Sequence, residues 1–163
     1  MNELQQNTDD HRKAVAEVFH AMGRSMFMYQ RIEQSLKLLL PYIVKDGEKI
    51  PENPYRDMKE LLASKNTMGP LFERLKNSIE APDSESVNAY LERVVANRNE
   101  LIHSFSKLSF GSLATIEICE EALAYIKGKH LYAVPLHQII DQFLQVFIKS
   151  LEDEEFIDLK DVE

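Results

Sequence analysis

Cysteine, glycine and proline are scarce in this sequence of 163 residues, and tryptophan is absent. Cys119 is the only cysteine. A single cysteine excludes an intrachain disulfide and a zinc site built on several thiolates, and it favours a reducing compartment. The longest apolar stretch, residues 36–44, is too short to cross a bilayer, and the N-terminus has no apolar signal-like core. We therefore expect a cytoplasmic protein with no membrane partner.

The charge is acidic overall but unevenly distributed. The chain carries 19 basic and 27 acidic side chains, a net charge of −8, with 44% hydrophobic and 28% charged residues. This composition is typical of one globular domain and excludes collagen-like, disordered and strongly basic DNA-coating chains. Residues 152–163 alone hold a net charge of −6. We predict a single domain over residues 1–151 and an acidic tail over residues 152–163.

Apolar residues recur at helical spacing almost throughout, and no segment shows the alternation of a strand. Five glycines and six prolines are few breaks for this length, so the helices should be long. The pattern predicts an all-α antiparallel bundle of about five helices. The predicted segments are about Thr8–Leu40, Pro54–Ala63, Pro70–Ile79, Ser84–Phe105, Leu113–Lys127 and Pro135–Leu151, with Gly128 ending the fifth.

Two charged residues fall on apolar stripes of separate helices, Glu33 on the first and Arg98 on the long helix after Ser84. A lone buried carboxylate costs several kcal/mol, so Glu33 requires a partner. Two interpretations remain open. The two residues form a buried ion pair that fixes helix register, or Arg98 lines an anion-binding cleft and Glu33 orients it.

The segment from Arg98 to His103 carries the most distinctive chemistry in the sequence. A guanidinium can stabilise phosphate charge, and an imidazole can transfer a proton near neutral pH, which together suffice for metal-free RNA cleavage through the 2′-hydroxyl. On a straight α-helix, residues five apart point about 140° away from each other. A site therefore requires a local distortion after Arg98 or residues from two subunits.

The string Arg98-Asn99-Glu-Leu-Ile-His103, within an acidic helical protein, resembles the motif of the HEPN superfamily, an Arg and a His separated by four to six residues. The resemblance implies a metal-independent endoribonuclease of toxin or defence type, acting as a homodimer whose two motifs face one cleft. It implies that Arg98 binds the scissile phosphate, His103 transfers the proton, Asn99 orients the site and Glu33 supports Arg98. It also implies an RNA ligand and an antitoxin or regulatory partner, while Phe105 lacks the hydroxyl that some such antitoxins modify.

Two other functions compete with this interpretation. One is a non-catalytic interaction or regulatory module in which Arg98 serves the structure. The other is a ferritin-like metal protein, because Glu17…His20 and Glu100…His103 both have the Glu-x-x-His spacing. The helical phases of these four residues point away from the predicted core, where metal ligands are required. We expect no metal and no organic cofactor, since no dinucleotide or phosphate-loop fingerprint is present.

Overall fold

A computed structural model describes residues 3–43, 62–65, 67–78 and 84–158. Regular structure in these ranges is entirely helical, and they contain no strand, as the sequence predicts. The four α-helices are α1 (Glu3–Leu39), α2 (Met68–Ser78), α3 (Ser84–Asn99) and α4 (Ile116–Asp158). A π-helical turn, Glu100–Ser104, and a short 3-10 turn, Phe105–Lys107, follow α3 directly.

The last two predicted helices are one continuous helix, so the expected break at Gly128 is wrong. α4 runs through both Gly128 and Pro135. Proline cannot donate to the carbonyl of Leu131, but both residues are exposed, so water can reach that carbonyl. Buried side chains on either side, among them Ala133 and Leu136, continue one stripe and stabilise the uninterrupted helix.

Two other boundaries differ from the sequence-based prediction. α1 begins at Glu3, one turn before the predicted cap at Thr8. α4 continues to Asp158, so the first part of the predicted acidic tail is helical. The helix predicted after Pro54 lies outside the described residues except for positions 62–63, which are helical.

The chain divides into two compact units. Unit 1 contains Met1–Gln30 and Val87–Pro135, and unit 2 contains Arg31–Ser86 and Leu136–Glu163. The core of unit 1 comes from α1, α3 and α4. Its buried apolar residues are Val18, Ala21, Met28, Tyr29, Leu91, Val94, Leu101, Leu113, Cys119, Ala122, Ile126 and Ala133.

Within unit 1, α4 lies between two helices of opposite direction. Ser25 of α1 contacts His130, and the N-terminal part of α1 lies beside the start of α4, so these two helices run parallel. Tyr90 contacts Tyr132, and Glu100 contacts Tyr125, so α3 is antiparallel to α4. The parallel pair differs from the antiparallel neighbours expected from short connections, because α1 and α4 are not consecutive in the chain.

Unit 2 packs the last quarter of α1, α2 and the end of α4 around its own core. The core residues are Ile32, Leu36, Leu39, Leu40, Met68, Leu71, Phe72, Leu75, Leu136 and Ile140. Two contacts connect α1 and the residues after it to α4. One is an ion pair between Arg31 and Asp141 at 2.9 Å, and the other is between the rings of Tyr42 and Phe147, which are tilted at 37° with centroids 4.7 Å apart. No helix in the described part of the chain is long and apolar enough to cross a membrane.

The connection from the 3-10 turn to α4 folds tightly over that turn. A Cβ placed on Gly111 would lie 2.7 Å from the carbonyl oxygen of Phe105, so only glycine fits there. Leu113 adopts a positive φ of 51°, and its carbonyl oxygen accepts a hydrogen bond from Nε2 of His11 at 2.8 Å. These contacts fix the chain that follows the short helical turns.

Candidate functional site

The π-helical turn brings Arg98 and His103 together on one side of the chain. Nη1 of Arg98 lies 3.5 Å from Nε2 of His103 and donates a hydrogen bond of 3.1 Å to Oδ1 of Asn99. The backbone bond of a π-helix joins residues five apart, so side chains at that spacing lie above one another. This is the local distortion after Arg98 that the sequence required, and it acts within one chain.

A hydrogen bond from Arg98 to His103 requires one particular tautomer of the imidazole. A guanidinium has five N–H donors and no acceptor. Arg98 can therefore approach Nε2 of His103 only when that nitrogen presents its lone pair. That tautomer carries its hydrogen on Nδ1.

These three side chains are accessible from solvent. Asn99 and His103 are exposed, and Arg98 is half-buried. A large polyanion could therefore reach the pair without any opening of the core. Arg98 lies in the last turn of α3, so the negative end of the helix dipole stabilises its charge.

Glu100, the first residue of the π-helical turn, is held by two residues of α4. Its carboxylate accepts hydrogen bonds from the ammonium of Lys129 and from the hydroxyl of Tyr125, the latter at 2.6 Å. The bond from Lys129, followed by that from Tyr125, lowers the pKa of Glu100 below its ordinary value. Burial, together with Glu100, raises the pKa of Tyr125 to about 12, so the phenol remains protonated and donates at neutral pH.

Lys129 is the centre of this polar network and is itself buried. Its ammonium donates to Oδ1 of Asn97 at 2.8 Å and lies 4.9 Å from the ring centroid of Tyr125, while its carbonyl oxygen accepts from the hydroxyl of Tyr29 at 3.0 Å. Asn97 is 2% exposed. Burial raises the pKa of Tyr29, so this phenol also acts as a donor. The network connects the residues that flank Arg98 to the middle of α4.

An aromatic cluster supports the same turn from its other end. The rings of Phe105 and Phe110 lie 5.7 Å apart, and those of Phe110 and Tyr125 lie 5.0 Å apart. Aromatic pairs at such distances contribute beyond the area that they bury. The residue two after His103 therefore packs beneath the site, where a phenylalanine is suitable.

Glu33 finds a different partner from the one expected. Its carboxylate forms an ion pair with Lys37 at 3.3 Å, one turn further along α1, and both side chains are largely shielded from solvent. Glu33 and Lys37 belong to unit 2, whereas Arg98, Asn99 and His103 belong to unit 1. A lysine four residues away on the same helix therefore satisfies the carboxylate of Glu33, and a role for Glu33 beside Arg98 stays a prediction.

Sequence reasoning missed Lys129 and Asn97, although the spacing of α4 contains a signal for the lysine. Ala122, Ile126, Lys129, Ala133, Leu136 and Ile140 follow one another at intervals of three or four, and all are buried. A lysine within such a stripe requires an anion and further acceptors. The prediction of two helices interrupted this stripe at Gly128 and so concealed it.

The Glu-x-x-His pairs do not converge on a metal site. The described residues contain no group of three or more His, Cys, Asp or Glu side chains that could hold a metal ion. Glu100 is instead bound to Lys129 and Tyr125. A ferritin-like centre thus has no ligand set within the described ranges.

Comparison with models of protein families, with curated proteins and with solved structures finds no match to this chain.

Proposed function

We propose that the chain is a metal-independent endoribonuclease of HEPN type that uses Arg98 and His103. The observation that supports this proposal is the 3.5 Å contact between their side chains across the π-helical turn. Short π-helical segments occur frequently at functional sites, where they reorient side chains that an α-helix would separate. Asn99, which binds the same guanidinium, orients it.

In the proposed reaction the 2′-oxygen of RNA attacks the adjacent phosphorus. As Arg98 turns from Nε2 of His103 to the phosphate, that nitrogen takes the 2′-hydroxyl proton while the new P–O bond forms and the P–O bond to the 5′-oxygen breaks. Arg98 stabilises the negative charge that develops on the phosphoryl oxygens. A second imidazole donates a proton to the leaving 5′-oxygen. The products are a 2′,3′-cyclic phosphate and a 5′-hydroxyl end.

A homodimer whose two motifs face one cleft supplies that second imidazole. Each protomer carries a complete Arg98–His103 pair, so the dimer is not required to assemble the pair itself. It is required for the second proton transfer and for a positive cleft on an acidic chain, since a cleft focuses the local charge rather than the net charge. Sedimentation of the active species should therefore give the mass of a dimer, and full activity in a monomer would contradict this part of the proposal.

RNA cleavage by the purified protein in excess EDTA tests the catalytic proposal. We expect Arg98→Ala to lower the cleavage rate by about 10²–10³-fold and His103→Ala by about 10²–10⁴-fold. Arg12→Ala and His20→Ala are matched controls, because both residues are exposed on α1, and they should retain the wild-type rate. Circular dichroism establishes that each variant is folded.

Equal activity of the wild type and both site variants, with the fold intact, would refute the nuclease proposal. In that case, the non-catalytic alternative predicts that Arg98→Ala lowers stability instead. The distribution of ends provides a second readout, since cleavage through the 2′-hydroxyl leaves no 3′-hydroxyl. Products with free 3′-hydroxyl ends would exclude the proposed step even if RNA were degraded.

A further inference from the structure

A second cluster of cationic side chains in unit 1 surrounds a groove between α1 and α4. The groove has a volume of about 200 Å³. Its walls come from one face of each helix, at spacings of three and four residues. The lining residues are Ala21, Arg24, Ser25, Ile126, Lys127, His130 and Leu131.

The stretches of helix that form this groove contain no acidic residue, although the chain as a whole is strongly acidic. Residues 18–30 of α1 and residues 122–135 of α4 lack Asp and Glu, while they include Arg24, Lys127 and Lys129. The charge of Lys129 is neutralised by Glu100. The groove is therefore a local positive region on a chain of net charge −8.

Arg24 and Lys127 have no acidic partner among the described residues. Near the start of α1, by contrast, Arg12 pairs with Asp9 and Lys13 pairs with Asp10, each one turn away. Two cations without a carboxylate at one groove can both bind an anion, because no internal ion pair has to be broken first.

The floor of the groove presents one buried polar group and an apolar surface. Oγ of Ser25, which is 1% exposed, donates to the carbonyl oxygen of Ala21 at 2.9 Å and lies 3.3 Å from Nδ1 of His130. Since the hydroxyl has already donated its hydrogen, Oγ accepts from Nδ1–H, which fixes the imidazole at the edge of the groove. Leu131 is 67% exposed beside these polar groups.

We propose that this groove binds a nucleoside phosphate, either as a free nucleotide or as one unit of single-stranded RNA. The phosphate lies between Arg24 and Lys127, and the base packs on the exposed side chain of Leu131. The proposal rests on different residues from those of the ribonuclease proposal and does not require cleavage.

Titrations monitored by backbone amide chemical shifts test the groove directly. The probes are inorganic phosphate, adenosine 5′-monophosphate and a non-cleavable 2′-O-methyl RNA of about ten nucleotides. We expect adenosine monophosphate or the oligonucleotide to shift the amides of Ser25, His130 and Leu131. The double variant Arg24→Gln/Lys127→Gln should lower the affinity at least about tenfold, because two charge-assisted hydrogen bonds are lost.

The double variant Arg12→Gln/Lys13→Gln is the matched control, since it removes the same charge from another part of α1. It should bind the probes with wild-type affinity. Binding of the mononucleotide identifies a free nucleotide as the ligand, and binding of the oligonucleotide alone identifies RNA. The proposal is overturned if no probe shifts the groove amides, if the control loses as much affinity, or if inorganic phosphate binds as tightly as the mononucleotide. Absence of RNA cleavage leaves this result unaffected.

Discussion

Replacement of Lys129 by methionine should destabilise the fold by about 1–3 kcal/mol. The magnitude follows from the groups that the lysine leaves behind. Methionine retains most of the apolar stem, so the packing loss is small. Asn97, 2% exposed, loses the donor to its Oδ1, and a buried acceptor without a partner costs about 1–3 kcal/mol. Glu100 contributes less than about 1 kcal/mol, because its side chain is 38% exposed and water replaces the ammonium.

Urea denaturation followed by circular dichroism measures this change as a shift of the midpoint at constant slope. Lys127→Met is the matched control, because it makes the same substitution two residues away at an exposed position without an ion pair to a described residue. We expect the control to lie within about 0.5 kcal/mol of the wild type. The amide shifts of residues 98–104 should change in the Lys129 variant and not in the control, since only Lys129 holds Glu100.

A double variant distinguishes this reasoning from a general effect of substitution in the core. Adding Asn97→Leu to Lys129→Met removes the orphaned amide, so the double variant should be more stable than the sum of the two single changes predicts. Strict additivity of the two changes, or a Lys129→Met variant as stable as the wild type, would refute the role assigned to the network.

Two further predictions concern the same unit. Gly128→Ala should raise the free energy of unfolding by about 0.5–1 kcal/mol, because the added methyl meets nothing within 4 Å in a helix interior. Gly111→Ala should lower the free energy of unfolding by about 1–3 kcal/mol through the clash with Phe105. Thermal unfolding measures both changes, and a shift of the same sign in the two variants would contradict the different surroundings described for the two glycines. The pKa of Glu100 is lower in the folded state, so its ionised form adds stability above its ordinary pKa of 4.5 that is lost as the pH falls through the lowered value. Chemical denaturation at several pH values should therefore show that the free energies of unfolding of the wild type and Glu100→Gln converge at acidic pH. A difference that stays constant with pH would contradict the stabilising role of the ionised carboxylate.

The helices and the identity of the candidate residues could be predicted because they depend on local information. The apolar spacing of α1 and α3 reports which face is buried, and the helical class follows from that spacing. Because Arg98 and His103 are five residues apart, the sequence predicts that they form one site only through a local distortion of the helix or through residues from two subunits. Their contact at 3.5 Å follows from the change from an α-helix to a π-helical turn, which no residue between them predicts.

The remaining features depend on contacts between distant segments. The continuity of α4 through Pro135 reflects burial on both sides of the proline, which offsets a local penalty of about 3 kcal/mol. The partner of Glu33 could not be chosen from helical phase alone, because Arg98 and Lys37 were both available to it. The pairing of Lys129 with Asn97 joins two helices through positions 32 residues apart.

Because of the π-helical turn, the number of residues between Arg98 and His103 does not by itself decide whether their side chains meet. Rotation about the helix axis, rather than the number of intervening residues, determines whether the two side chains meet. Removal of one residue between Asn99 and His103 would leave the arginine and the histidine four apart, and an ordinary α-helix places such positions on one face. The extra residue of the turn can thus be regarded as an insertion that the helix has absorbed without losing the contact.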